Sequence, residues 1–225
     1  MPMIVSFVSQ KGGVGKSTLA RALLAVAGHA MHCRVADLDP RQASVTEWEA
    51  ARGRNEIGPA CEVKAYRSPE QAIAESADVE LLILDAPAGT SPDTLKIAQR
   101  SHLVVQPTGA SADDLRPAIL TFHELVRAGV PKERLVMAVC RILSSKEEAQ
   151  TRKAIEDAGY AVLAGAIPER IAYREAQDRG QAITETKSVK LNWKADVLME
   201  ALLKKVVAEV KALGKDRSKR EARKR

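Results

Sequence analysis

Lys11-Gly12-Gly13-Val14-Gly15-Lys16-Ser17-Thr18, preceded by the apolar run Met3-Ile4-Val5-Ser6-Phe7-Val8, decides how this chain folds. The short β-branched run reads as a buried parallel strand. Ser17 to Ala27 is rich in Ala and Leu and reads as a helix, with Gly28 as its stop. Strand, glycine loop and helix in that order form a phosphate-binding loop. Glycines let backbone N–H groups turn inward and approach phosphate oxygens closely. Lys16 is placed to reach terminal phosphates, the Ser17 hydroxyl to ligate Mg²⁺, and the opening helix to point its positive end at the same anion. Gln10 stands where such a loop has its first glycine, five residues before Gly15, and Lys11-Gly12-Gly13 follows it. An ordinary loop of this kind has no task for Lys11, which suggests a charge acting outside its own site. The bland alternative, a glycine-rich turn with two surface lysines, leaves the coincidence of strand, loop, lysine, hydroxyl and helix unexplained.

The length of 225 residues suits one large domain or two small ones, and at 45% hydrophobic the chain can bury a substantial core. With only 3% aromatic residues, that core is expected to be Ala, Val, Leu and Ile. Cys33, Cys61 and Cys140 lie far apart without a CxxC pair, so neither a zinc site nor a disulfide framework is indicated. No run is long and apolar enough to span a membrane, and the first residues lack the pattern of a signal peptide. A cytoplasmic location is the expectation. The charge is uneven. Residues 204–225 hold ten basic and three acidic side chains, a local +7 against +6 for the whole chain. Such a terminus suits a polyanion, with a merely solubilising end as the alternative.

Strand and helix patterns alternate along the rest. Strands are expected at Arg34–Asp37, Cys61–Tyr66, Leu81–Asp85, His102–Gln106, Leu135–Cys140 and Ala161–Ile167. Helices are expected at Ala43–Ala51, Pro69–Ser76, Leu115–Ala128, Glu147–Ala158 and Val189–Leu213. The pattern predicts an α/β fold, a mostly parallel, doubly wound sheet with helices on both faces and ligands at the C-terminal strand ends. One domain is expected over residues 1–213, followed by a basic, flexible tail over 214–225. In the last helix Val197, Leu198, Ala201, Leu202, Val206 and Val210 recur at helical spacing and read as a stripe packed on the sheet. The tail beyond has no bulky apolar residue to insert into a bilayer.

Two acidic sites complement the loop. Asp85 ends the run Val79-Glu80-Leu81-Leu82-Ile83-Leu84-Asp85, ahead of Ala86-Pro87-Ala88-Gly89, a Walker B arrangement in which the carboxylate holds Mg²⁺ through a water beside Ser17. Asp37-Leu38-Asp39-Pro40 ends the second strand. Side chains two apart on a strand share a face, so Asp37 and Asp39 are both expected to look toward the phosphates. Asp39, nearer the loop, is the favoured candidate to orient the attacking water, with a purely metal-organising role as the alternative, and Asp37 is a candidate metal residue.

KGGVGKST, DLDPRQASVTEW and LLILDAPAG, in this order and spacing, resemble the ParA family of partition and positioning ATPases, in the deviant Walker A group that includes the Min septum-site ATPase. Val105-Gln106-Pro107-Thr108-Gly109-Ala110-Ser111-Ala112-Asp113-Asp114-Leu115 and Ile167-Pro168-Glu169-Arg170 are also similar to that family. The closest looks are to short members without an N-terminal helix-turn-helix domain. The resemblance implies Mg²⁺-dependent hydrolysis of ATP in a homodimer that sandwiches two nucleotides. It implies that Lys11 reaches the partner's phosphates, that Lys16 acts within its own subunit, and that Asp39 is the hydrolytic and Asp85 the Walker B aspartate. It places adenine near Arg141 and Pro168. Arg41 departs from the family's frequent Pro-Gln-Gly.

The resemblance further implies sequence-blind DNA binding by the ATP dimer. Charge supplies the candidates Lys204, Lys205, Lys211, Lys215, Arg217, Lys219, Arg220, Arg223, Lys224 and Arg225. The leading expectation is an ATPase that segregates plasmid or chromosomal DNA over the nucleoid, with a centromere-binding or cargo-adaptor protein that stimulates hydrolysis and no membrane partner. Positioning of a protein cargo and an accessory role in DNA transfer are close variants. A Min-type membrane cycle would call for an amphipathic terminus. A metabolic enzyme on the same fold, and a binding module without hydrolysis, leave Lys11 or the acidic set without a task.

Overall fold

The computed structural model describes residues 2–89 and 92–222, with the side chains of residue 92 and residues 210–222 outside that description. Seven strands form the sheet: β1 (Met3–Ser9), β2 (Cys33–Asp37), β3 (Glu62–Ala65), β4 (Leu81–Ala88), β5 (Leu103–Thr108), β6 (Leu135–Ile142) and β7 (Ala161–Pro168). Their order is β3-β2-β4-β1-β5-β6-β7, and every neighbouring pair is parallel. The helices are α1 (Lys16–Ala27), α2 (Ser44–Arg54), α3 (Pro69–Ala74), α4 (Pro92–Arg100), α5 (Ala112–Arg127), α6 (Ser145–Asp157), α7 (Ile171–Asp178) and α8 (Val189–Ala222).

Alternation along the strands feeds two cores. Val5, Val35 and Ile83 point to one face, where they meet Leu19 and Leu23 of α1, Trp48 of α2, Tyr173 of α7 and Leu198 of α8. Ile4, Leu82 and Val104 point to the other, toward Ala72 of α3, Ile97 of α4, Phe122 of α5 and Ile155 of α6. The sheet is therefore covered on both sides, as a wholly parallel sheet requires. Strand order reverses around β1 and β4, so the crevice at their C-terminal ends is where this architecture accepts a ligand.

Two helices lie where no element was expected. In α4, Pro92 opens the helix, Asp93 sits in its first turn, and Ile97 and Ala98 are buried. In α7, Tyr173 and Ala176 supply a buried face. Both are too short for a strong periodic signal. The last helix does not stop at Leu213 but continues past Gly214 to Ala222. One glycine costs a helix about 1 kcal/mol, and the surrounding Ala, Lys, Arg and Glu are good helix formers. The expected flexible tail is thus helical over 214–222, and residues 223–225 lie outside the described residues.

A buried arginine ties α2 to the segment after α7. Arg52 is 2% exposed and pairs through both terminal nitrogens with Glu185, at 2.7 and 2.8 Å. It also donates to the carbonyls of Gly58, Pro59 and Gly180. Gly180 has φ +79°, and a Cβ there would run into the Arg52 backbone, so glycine is required on both counts. Removing one member of a buried pair leaves an uncompensated charge. Glu185→Gln is therefore expected to lower unfolding free energy by about 3 kcal/mol, read from the denaturant midpoint.

Candidate active site

The loop between β1 and α1 takes its shape from Gly13 at φ +74° and Gly15 at φ +116°, backbone conformations that other residues adopt only under strain. Gly15 caps α1, and its carbonyl accepts from Leu19 N at 2.9 Å. The loop turns over a cavity of about 490 Å³ bordered by Gly12, Gly13, Lys16, Ser17, Asp37, Asp39 and Asp85. Gln42, Ser44, Ala86 and Ala88 complete the wall. The three nucleotide-motif segments thus converge on one cavity at the C-terminal edge of the sheet.

Register explains the convergence. Asp37 of β2 and Asp85 of β4 are paired neighbours, and Phe7 of β1 pairs with Asp85 from the other side. Ser17, in the first turn of α1, donates to Asp85 Oδ2 at 2.6 Å. Asp85 is 3% exposed, and burial pushes its carboxyl up to about 6 against the pull of Ser17 and Lys16. Its other oxygen, Oδ1, is buried without a hydrogen-bond partner among the described residues. Lys16 is 8% exposed; burial pulls its ammonium below the ordinary value, while Asp85 and Asp39 act in the opposite sense. Those carboxylates do not offset the cost of burying the ammonium, and a phosphate group in the glycine cradle would.

Asp37 and Asp39 differ from expectation. β2 ends at Asp37, so Asp39 lies beyond the strand and the shared-face argument does not apply, although both residues border the cavity. Asp37 Oδ1 accepts from Asp39 N at 3.0 Å, and Oδ2 accepts from Thr46 Oγ1 at 2.9 Å. Asp37, expected as a metal-organising residue, borders the cavity and ties the Asp39 loop to the first turn of α2. Asp39 is half-buried, and its carbonyl accepts from Ala43 N at 2.9 Å to close a tight turn. Asp85 lies within β4, which runs on to Ala88, rather than at its end.

The residues present fit a hydrated Mg²⁺. Ser17 and Asp85 both border the phosphate cavity, one Asp85 oxygen is buried without a partner, and among the described residues no cluster of three His, Cys, Asp or Glu forms a closed cage. Mg²⁺ is bound in that open way, by few protein ligands together with waters and phosphate.

A second cleft of about 360 Å³ adjoins the first and shares Gly13 with it. Thr18, Cys140, Arg141, Ile167 and Pro168 line one part, so the two residues expected near a base, Arg141 and Pro168, do meet beside the loop. Glu169, Tyr173, Arg174 and Gln177 line the rest and had no role in the sequence reading. Their signal was weak, since three of them sit on the unforeseen α7. Arg141 has φ +58°, its Nε donates to Glu169 Oε2 at 2.9 Å, and this pairing raises its pKa. Val14 is buried beneath the loop.

Lys11 lies on the rim. Its Nζ donates to Asp114 Oδ1 at 3.0 Å, with the Lys11 side chain 42% exposed. Asp114 stands in the first turn of α5, where Ser111 caps the helix. Of the expected DNA contacts, Lys204 is exposed and pairs with Glu200 at 2.6 Å, and Lys205 is half-buried. The side chains of Lys211, Lys215, Arg217, Lys219 and Arg220, and residues Arg223, Lys224 and Arg225, lie outside the description.

The raised Asp85 pKa fixes the sign of one prediction. A folded-state value above the unfolded one means that the ionised carboxylate opposes folding at pH above about 6, and that this penalty fades as pH falls toward the unfolded value. Asp85→Asn, in chelator, is expected to melt higher than the unsubstituted protein at pH 7.5. The advantage should shrink toward pH 4, and Mg²⁺ should no longer strengthen nucleotide binding by the variant. Melting curves and titrations with and without Mg²⁺ check both parts.

Comparison with known proteins agrees with this geometry. The chain is 24% identical over 185 residues to the maintenance of carboxysome distribution protein A of Gloeobacter kilaueensis, covering 82% of this chain and 85% of that protein. The septum site-determining protein MinD of Pyrococcus horikoshii, complexed with Mg-ADP, superposes with a TM-score of 0.70 at 17% identity, over 90% of this chain and 96% of that one. A protein assigned to plasmid partition in Borrelia burgdorferi, bound to AMPPNP, superposes with a TM-score of 0.71 at 16% identity, over 91% of this chain and 100% of that one. Residues 5–183 match the CobQ/CobB/MinD/ParA nucleotide binding domain, and the chain belongs to that family of P-loop ATPases.

Proposed function

We propose that this protein is a Mg²⁺-dependent ATPase whose ATP-bound homodimer binds DNA without sequence preference and so segregates or positions cargo. The observation that carries the reading is Lys11. It sits on the rim rather than over its own phosphate cavity and is held there by a single, partly solvent-exposed ion pair to Asp114. With the lysine itself open to solvent, a doubly charged phosphate offered by a second copy competes with the single carboxylate for it.

Within one subunit, Lys16 and the N–H groups from Gly12 to Thr18 hold the phosphates. Mg²⁺, when bound, neutralises charge developing on the transferred phosphoryl group. Ser17 and Asp85 would hold that ion. Asp39 orients the attacking water, and Asp37 keeps the Asp39 turn in place. The base lies against Arg141 and Pro168. The basic terminus beyond Lys204, doubled in a dimer, gives phosphate contacts that depend on salt and not on sequence. Hydrolysis, stimulated by a centromere-binding or cargo-adaptor protein, then releases the dimer from the nucleoid into the cytoplasm. A protein cargo is the second reading, favoured by the similarity to the carboxysome distribution protein.

DNA binding with ADP, ATP and a non-hydrolysable ATP analogue, at two salt concentrations, tests the reading. Salt-sensitive binding that requires ATP is expected, abolished by Lys11→Ala and weakened in a chain ending at Leu213. ATP hydrolysis without DNA binding in any nucleotide state would rule out a DNA scaffold.

A further inference from the structure

Arg21 joins the two clefts without lining either. It follows Ser17 by one helical turn on α1 and bridges α7 and the start of α2. Its Nη1 donates to Gln177 Oε1 at 2.9 Å, and its Nη2 donates to the Ser44 carbonyl. Gln177 borders the base cleft, and its amide is oriented by Nε2 donating to the Tyr173 carbonyl at 3.3 Å. Ser44 borders the phosphate cavity and opens α2. It directly follows Ala43, a non-glycine residue held at φ +46°. That left-handed residue closes the turn that begins at Asp39, since Ala43 N and Gln42 N both donate to the Asp39 carbonyl, at 2.9 and 3.1 Å. A strained turn of this kind persists only when its surroundings hold it. Asp37 holds the start of the turn and Arg21 holds its end. The guanidinium Nε is buried without a partner among the described residues, and the two terminal nitrogens make these bonds.

We propose that Arg21 is a positioning residue that couples an occupied base cleft to the hydrolytic loop. A base packed against α7 fixes Gln177; Gln177 fixes the guanidinium, and the guanidinium fixes the Ser44 carbonyl at the end of the Asp39 turn. The water-orienting carboxylate is then aligned when a complete nucleotide is bound, and loose when a bare polyphosphate fills the phosphate cavity. The inference rests on the ATPase reading above and adds a base requirement to its chemical step. A merely structural staple between α1, α2 and α7 would lack that requirement.

Two readouts separate these roles. The first is hydrogen exchange of the amides of residues 41–46 with Mg–ADP and with Mg–pyrophosphate, neither of which needs turnover. ADP is expected to slow exchange about tenfold more than pyrophosphate, and Arg21→Lys and Gln177→Leu should each erase the difference. The second is steady-state kinetics with ATP and with tripolyphosphate. Each variant should lower kcat for ATP roughly ten- to a hundredfold, raise KM no more than about threefold, and leave tripolyphosphate turnover unchanged. Should Arg21→Lys fold poorly, Gln177→Leu, on the half-exposed side of α7, decides alone. An exchange difference that survives in the variants overturns the inference, as does equal loss of ATP and tripolyphosphate turnover. An unsubstituted protein that hydrolyses neither substrate overturns the ATPase reading instead, and the exchange contrast still decides the coupling.

Discussion

The hydrogen bond from Ser17 to Asp85, 2.6 Å long, joins the first turn of the loop helix to the strand beside it, and the site is built around it. It fixes the mouth of α1 against β4 and leaves the other Asp85 oxygen buried without a partner among the described residues. The arrangement concentrates charge where burial is costly. Lys16, Asp37 and Asp85 are all buried at the sheet edge, and Arg21 lies close behind them. Burial weakens the charged forms of Lys16, Arg21 and Asp85 alike. A site so charged in the absence of ligand gains most from one carrying both signs, a phosphate chain with its divalent cation.

Outside this buried set runs a looser one. Lys11 rests on Asp114, and Arg141 on Glu169, which also accepts from Arg174 at 2.9 Å. These pairs lie at the rim of the two clefts and are partly open to solvent, so each is weak and exchangeable. Buried groups keep the ligand geometry fixed, while rim groups can change partners when a nucleotide or a second subunit arrives. The division follows from sheet topology. Strand ends β1, β2 and β4 supply the interior, whereas α5 and the ends of β6 and β7 supply the rim.

Local chemistry was legible in the sequence and distant pairing was not. The loop from Lys11 to Thr18 carries its shape in its glycines, and Asp85 carries its strand in the apolar run before it. Arg141 and Pro168 came from resemblance, and the structure brings them to one cleft. Strand alternation does not reach Asp39, which lies two residues past the end of β2; the hydrogen bond from its own N–H to Asp37 ties it to the strand end instead. Asp114, Gln177 and Arg21 were invisible as partners, since their contacts span 103 and 156 residues of sequence. The helices α4 and α7 are short, and α8 overruns a glycine that its strong neighbours outweigh.

Sedimentation of the protein with Mg–ATP and with Mg–ADP, for the unsubstituted chain and Lys11→Ala, tests the central claim most directly. The account predicts a dimer only with ATP and only with Lys11 present, and a monomer in the other three cases. A monomer that holds ATP without associating, or a Lys11→Ala variant that dimerises as readily, would contradict it.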